Sequence, residues 1–524
     1  MKLLNTFKKN KRYLLFFLAT AMMLIFTIMV ISSKMIPVKY LILLGIVEIL
    51  LLAGCFFLQR KKGKLKWALA IILEIIAIVI ASCGCYFLYH TMNMVQNITN
   101  VETDSETICA YVMADKEYTS LQDALDDTFG KVLDQSEQAV DQMLDRIAKK
   151  AEKELNIQEF QDMFLAADAL QNQEIQVLVM NEAYAGILSE VEGYEWFYTD
   201  VKVLEVSVEE IEVVVENTTD DNEADSEETA EETQDDKKEN KEEIKMELMA
   251  PPEQVDWGSL VGQGVATAPD GTFVAYISGA DTWGAASTKS RSDVNILAVV
   301  NTNTKQILLV STPRDFYVPM AASNGVKDKL THAGIYGIDN SISTLEMLYG
   351  VDISYYVKVN FTGFVGIIDA LGGIDVYSDS AFRVDENFAY VEGINHLYGV
   401  EALAFARERY NVAGGDVARG IHQMEVIKGV INKCVSPDII YNYANIMNQV
   451  SGCFITDMSD DKIASLIRMQ LGDMASWSVS SISVIGSGDY KTTYSLPNKK
   501  LYVMIPDENS VADAKSQIAA VLGQ

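Results

Sequence analysis

Apolar positions are unevenly spread along this chain. Near the N-terminus they run almost unbroken through residues 13–33, 40–58 and 67–89. Each run is long enough for a helix to cross ~30 Å of hydrocarbon. A cleaved signal peptide would be one shorter apolar run ending in small residues, so three successive spans read as a permanent anchor. Residues 1–90 are therefore assigned to a cytoplasmic N-terminus and three transmembrane helices.

The pattern changes after the third span. Over residues 102–216, "LQDALDDTFGKVLDQSEQAVDQMLDRIAKKAEKEL" carries apolar residues at helical spacing, and "EIQVLVMNEAYAGIL" reads as a strand entering a helix. This predicts a small α/β accessory domain. From residue 272 to the C-terminus, strand-like runs ("TFVAYISG", "VNILAVVN", "QILLVST", "ISYYVKVN", "GIDVY") alternate with helix-like ones ("DNSISTLEMLYG", "FTGFVGIIDALG", "ARGIHQMEVIKGVINK"). Such alternation predicts an α/β fold of three layers, with a mixed central sheet covered on both faces. Between the two domains, residues 217–250 hold almost no apolar side chain at first and a heavy acidic excess, the composition of a disordered linker.

Charge sets the orientation. Lys8, Lys9, Lys11 and Arg12 precede the first span, and Arg60, Lys61, Lys62, Lys64 and Lys66 separate the second from the third. The connection between the first and second spans has only Lys34 and Lys39. Positive-inside bias places the N-terminus in the cytoplasm and everything after about His90 outside. "LLAGC" at 51–55 resembles a lipoprotein cleavage box, but basic residues follow it at the cytoplasmic end of its span, and chance similarity is the simpler reading. Glu48 and Glu74 fall inside spans at similar depths, as functional carboxylates or as a protonated pair tying the helices together. Cys434 and Cys453 flank an apolar segment and could pair outside the cell. The four histidines and remaining cysteines lack zinc-site spacing.

With a formal net charge of -31 over 524 residues, the chain nevertheless concentrates arginines in a few places. "SGADTW" puts Asp281 after a strand, and "RSDVNILAVVNTNTKQILLVSTPRD" puts Arg291 and Asp293 before one strand and Arg314 after the next. A hairpin turned at 301–305 would bring those ends together. "EALAFARERYNVAGGDVARGIHQ" adds Arg407 and Arg409, which share a face if this is a strand. It also adds Asp416, Arg419 and Gln423, the last two one helical turn apart. Guanidinium groups grip phosphate oxygens with paired hydrogen bonds, and Asp281 with Asp293 suit Mg2+ bridging to substrate phosphates. Together they can stabilise charge during phosphoryl transfer. Isolated Arg–Asp salt bridges are the structural alternative.

The motifs "RSDVNILAVV", "STPRDFYV", "KLTHAGIYG", "YYVKVNFTGFVGIIDALGGIDV" and "GVEALAFARERY…GDVARGIHQ" occur in the order found in the LytR-CpsA-Psr family of cell-envelope enzymes, which residues 272–524 resemble. The passage "ALQNQEIQVLVMNEAYAGIL" resembles part of a solute-binding domain, over too short a stretch to define a ligand. The family resemblance implies a phosphotransferase that attaches a polyprenyl-pyrophosphate-linked glycopolymer (teichoic acid, capsule or similar) to a peptidoglycan acceptor through a phosphodiester. It implies that Arg291, Arg314, Arg407, Arg409, Arg419 and Gln423 grip the pyrophosphate and that Asp281 and Asp293 organise Mg2+. One aspartate, Asp416 included, would accept the acceptor's proton. It further implies a lipid groove, with "GIYGIDNSISTLEMLYGV" and "FTGFVGIIDAL" as candidate walls, although ordinary core gives the same spacing. Two positions depart from the pattern: Trp283 and His422 stand where the family commonly has arginine. A non-catalytic sensor or scaffold holding lipid-linked glycan is the competing reading. A nucleic-acid regulator is excluded by the acidity and by the exterior placement of most of the chain.

Overall fold

The computed structural model describes residues 13–60, 63–99, 104–134, 136–211, 251–256, 266–280, 282, 286–436, 446, 449–450 and 452–524. The linker expected at 217–250, the basic positions 8–12 and 61–62, Asp281 and Trp283 lie outside them. Two compact units are present. One comprises residues 1–102, 254–489 and 502–524; the other comprises residues 103–253 and 490–501.

The first unit begins with helices α1 (Leu14–Ser32), α2 (Val38–Arg60) and α3 (Lys64–Thr99), each long and apolar enough to cross a membrane. Their outward residues are leucine, isoleucine and phenylalanine, the surface that lipid accommodates. The two intramembrane carboxylates do not pair with each other. Thr27 of α1 donates to Glu48 at 2.7 Å, and Gln59 of α2 donates to Glu74 of α3 at 2.6 Å. Each carboxylate is thus taken by a neutral polar group on an adjacent helix, which removes the need for a direct pair. Cys55 is buried in the C-terminal part of α2.

The same unit holds the larger α/β fold. Its sheet runs β14-β11-β6-β7-β8-β15, formed by β6 (Thr272–Ala280), β7 (Ser292–Asn301), β8 (Gln306–Ser311), β11 (Tyr355–Asn360), β14 (Phe454–Thr456) and β15 (Ser478–Ser483); β9 (Tyr317–Pro319) and β10 (Lys327–Lys329) form a separate antiparallel pair. β6 is antiparallel to β7 and β7 to β8, whereas β11 runs parallel to β6 and β15 parallel to β8. Side chains alternate between two cores, as the period of a strand requires. On one face Val274, Tyr276, Leu297, Val299, Leu308 and Val310 meet helices α7 (Ile338–Tyr349) and α12 (Glu508–Leu522). On the other, Phe273, Ile296, Ala298 and Leu309 meet α10 (Gly415–Val435) and α11 (Asp460–Asp473). This is the expected three-layer arrangement.

"GIDVY" departs from expectation. As β12 (Ile374–Ser378) it pairs only with β13 (Gly393–Leu397), in a separate ribbon whose apolar side joins α8 (Phe361–Ala370), α9 (Gly399–Arg407) and α10 in a further core. Cys434 and Cys453 are free thiols rather than a disulfide. Cys453 Sγ donates to the Gln449 carbonyl at 2.9 Å.

In the second unit, strands β1 (Asp104–Met113), β2 (Thr128–Val132), β3 (Asn156–Phe160), β4 (Val177–Asn181) and β5 (Val201–Ile211) order as β3-β2-β4-β1-β5. The strand-to-helix reading of "EIQVLVMNEAYAGIL" holds, as β4 followed by α6 (Glu182–Ser189). The continuous helical reading upstream does not. Only α4 (Glu137–Ala151) is an α-helix there, and "TFGKV" is β2, paired in parallel with both β3 and β4. A strand buried on both faces shows no alternation, so its apolar residues merge into a neighbouring helical pattern.

Candidate functional site

Four chain segments meet where the central strands of the large sheet end. β6 ends there, β7 begins there after a bulge at Gly279/Ala280, β8 ends there, and the N-terminus of α10 arrives beside them. The β7–β8 hairpin does what its sequence predicts, bringing Asp293 and Arg314 into contact. α10 comes unusually close to β8: a Cβ on Gly420 would lie 2.7 Å from Ser311 Oγ. This approach sets Arg419, the residue before that glycine, into the cleft. Asp293, Thr312, Arg314, Asp416, Arg419 and Gln423 all line it.

The charges interlock. Arg314 Nη1 donates to both oxygens of Asp293 (3.1 and 3.0 Å), and Thr331 Oγ1 donates to Asp293 Oδ1 at 2.9 Å. Arg314 Nε lies 3.8 Å from Asp315, which Lys329 reaches at 3.2 Å. Arg419 Nη2 lies 2.5 Å from Asp416 Oδ1, a close ion pair rather than a directed hydrogen bond. These side chains are largely buried: Arg419 is 10% exposed, Arg314 11%, Asp293 13% and Asp416 21%.

Burial and charge pull the two carboxylates apart. Burial would raise the Asp293 pKa, but the guanidiniums of Arg314, Arg291 and Arg419, with the Thr331 hydroxyl, outweigh it and hold Asp293 well below the usual range. At Asp416, burial dominates and the pKa is raised; Asp315 adds to this, while Arg419, Arg314 and Arg409 only partly oppose it. The Arg419 pKa is lowered, first by burial and then by Arg314 and Arg409, against the pull of Asp416 and Asp293. Burial therefore works against both charges of the Asp416–Arg419 pair. An anion in the cleft would favour the charged Arg419 while opposing the charged Asp416.

Other expected residues sit differently. "LAFARERY" is not a strand: α9 ends at Arg407, because the Glu408 carboxylate accepts from the Tyr410 and Asn411 amides and fixes a turn. Arg407 is exposed and its guanidinium stacks 4.4 Å from the Phe361 ring centroid. Arg409 lies over the Tyr410 ring at 4.7 Å, close enough to act on Asp416 and Arg419 electrostatically. Gln423 donates weakly to the Ala406 carbonyl at 3.4 Å. His422 stands where the family commonly has arginine. It is buried between Phe382 and Phe405, with ring centroids 5.0 and 4.3 Å away, and its lowered pKa, caused first by burial, keeps it neutral. Lys329, Thr331 and Asp315 belong to the charge network, although no role was assigned to them from sequence. Lys329 and Thr331 stand in the quoted "KLTHAGIYG", where charged and polar neighbours on both sides give no local signal for them.

Asp293 supplies one ionised carboxylate already shared with Arg314 and Thr331. Among the described residues no three His, Cys, Asp or Glu side chains converge on a common point. Hard oxygen donors in small number suit Mg2+, which keeps waters and takes further oxygens from substrate phosphates, better than a self-contained protein cage. The two expected groove walls do not face each other. α7 lines an apolar groove of about 320 Å³ with Met347 and Leu348, opposite Val511 and Ala512 of α12, whereas α8 packs in the other core.

The sequence profile of the LytR_cpsA_psr family matches residues 219–514. The profile of a DNA polymerase processivity factor matches residues 63–180, from α3 into β4, well under half of the chain. Residues of this chain are 36% identical over 176 positions to the polyisoprenyl-teichoic acid–peptidoglycan teichoic acid transferase TagU of Bacillus cereus, covering 33% of this chain and 57% of that protein. TagU of Enterococcus faecalis is 36% identical over 188 positions, 35% of this chain and 61% of that protein. Thus the matched region spans less than two thirds of these relatives. Among solved structures, B. subtilis TagV is similar at 27% identity and a TM-score of 0.41, over 49% of this chain and 98% of that one. TagT bound to LI-WTA is similar at 25% identity and a TM-score of 0.39, over 49% and 92%. With its profile match extending over more than half its length, the chain belongs to the LytR_cpsA_psr family.

Proposed function

We propose that this protein is a membrane-anchored phosphotransferase. It moves a glycopolymer, such as a teichoic acid or capsule, from a polyprenyl pyrophosphate carrier onto peptidoglycan outside the cell. The observation that carries this reading is the gathering of Arg291, Arg314, Arg409 and Arg419 about Asp293 and Asp416 where the central strands of the sheet end. The names of the TagU relatives support the substrate class.

The guanidiniums hold the diphosphate in place of the internal carboxylates. An acceptor hydroxyl oxygen forms a bond to the phosphorus that bears the glycan, and the bond from that phosphorus to the bridging oxygen breaks. Polyprenyl monophosphate leaves with the electron pair, and the arginines stabilise its charge. The hydroxyl proton passes to a carboxylate. Asp416, with its raised pKa, is the stronger base of the two described aspartates, while Asp293 is too acidic for that role. Asp293, with Asp281, would hold Mg2+, which when bound neutralises phosphate charge. Arg407 and Gln423 stand at the edge of the site, and α7 offers an apolar wall for the lipid.

Full-length protein in proteoliposomes, given lipid-linked glycan and peptidoglycan fragments, tests this. Arg419→Gln should lower transfer by about tenfold to a hundredfold, the loss of one charge-assisted contact. Transfer at the wild-type rate by Arg419→Gln would remove this site from the reaction.

A further inference from the structure

Helix α11 is apolar on two sides. Leu466 faces the sheet, in the core of Phe273, Ala298 and Leu309. Ile463 and Ala464, with Ile467 one turn further on, face Met35 in the α1–α2 connection and Val95 in α3. Ala464, Met35 and Val95 are 3%, 6% and 2% exposed, so this second contact is closed to solvent. A helix apolar on two sides is one that is buried between two partners.

Polar contacts frame that apolar centre. Lys34 Nζ lies 2.7 Å from Asp461 in the first turn of α11. Arg468 Nη1 donates to the Lys34 carbonyl at 3.0 Å, Lys39 donates to the Gly472 carbonyl at the other end, and Thr99 donates to Asp460 at 2.8 Å. The ion pair is exposed and contributes little energy alone, but four contacts spread over the length of the helix fix its direction. Lys34 and Lys39 are the two lysines that depart from the positive-inside pattern, and both are engaged by protein.

We propose that α11 is a rigid coupling between the membrane anchor and the catalytic sheet. It holds the arginine cleft at a set height and orientation over the bilayer, so that the cleft meets diphosphates presented at the membrane surface. This rests on the reading that the substrate is lipid-borne. Ala464, Lys34 and Asp461 are accordingly positioning residues, and none of them lines the arginine cleft.

The test uses full-length protein in nanodiscs, Ala464→Asp, and the double charge swap Lys34→Asp/Asp461→Lys. Hydrogen exchange across 460–473 reports docking. Transfer is measured from a long-chain polyprenyl pyrophosphate glycan in the bilayer and from a water-soluble short-prenyl analogue. In wild type the helix should be protected. Ala464→Asp should lose that protection and lose about a hundredfold in rate on the bilayer substrate, the scale of a small misplacement. Its rate on the soluble analogue should stay within about twofold, and the charge swap should retain both protection and rate. An unprotected helix in wild type, or equal loss on both substrates, overturns the coupling. So does an undiminished bilayer rate in an undocked variant. Protection in wild type with no transfer from either substrate would instead overturn the proposed reaction and leave the docking standing.

Discussion

Asp293 is held by the guanidiniums that the proposed diphosphate would use, so neutralising it should have opposite effects on binding and on turnover. Asp293→Asn keeps the shape but removes the charge that Arg314 grips at 3.0 and 3.1 Å and that Arg291 and Arg419 also face. A carboxylate about 6 Å from a bound diphosphate opposes each unit of its negative charge by roughly 3 kcal/mol at an effective dielectric of ~20. The surrounding guanidiniums screen part of this, and about 1.4 kcal/mol, or tenfold, should survive. Titration calorimetry of the full-length protein with inorganic pyrophosphate in chelator should therefore show the variant binding about tenfold more tightly than wild type. Transfer of glycan should fall by about a hundredfold or more, because an electrostatic element of the transition state is lost. Unchanged or weaker pyrophosphate binding would refute the idea that Asp293 and the diphosphate compete for the same guanidiniums.

Lys329 is 2% exposed and pairs with Asp315, so Lys329→Met leaves a buried carboxylate short of a partner. We expect about 3–5 kcal/mol of lost stability, read as faster hydrogen exchange in β7 and β8. In the smaller unit, burial, opposed by the Ser136 amide and assisted by Glu106 and Glu137, pushes Asp134 up to about 6. A carboxyl whose folded pKa is raised stabilises the fold fully below the unfolded value of about 3.9, and that contribution is lost as pH rises through about 6. Asp134→Asn should therefore slow exchange in β1 and β4 at pH 7 while leaving pH 4 little changed. Asp293 has the opposite sign. Its depressed pKa stabilises the site above about 3.9 and fails only as pH falls further, so wild-type pyrophosphate binding should be insensitive to Asp293 protonation between about pH 5 and 8.

Much of the architecture was legible because periodicity reports burial. The β7–β8 hairpin alternates between two cores and its polar ends are local in sequence, so Asp293 and Arg314 were placed together from their spacing alone. β2 was hidden because both its faces are covered, and β12 because nothing in "GIDVY" distinguishes a central strand from an isolated ribbon. Arg407 and Arg409 were misassigned for a different reason. Two arginines two apart suit a strand, but the tertiary contact of α9 and the Glu408 turn decide the backbone there. The role of Lys329 and Thr331 depends on Asp315 and Asp293, which are distant in sequence, and no local pattern encodes it. His422, where the family commonly has arginine, faces Phe382 and Phe405, and nothing local in the sequence announces that stack.

If the arginine cleft transfers a glycan phosphate while its lipid carrier departs, both products must form together. Phosphorus NMR of wild-type proteoliposomes with lipid-linked glycan and peptidoglycan acceptor follows them at once. The pyrophosphate signals should be lost, with phosphodiester and polyprenyl monophosphate appearing in equal amounts. Pyrophosphate that persists, or monophosphate released with no phosphodiester formed, would contradict that transfer.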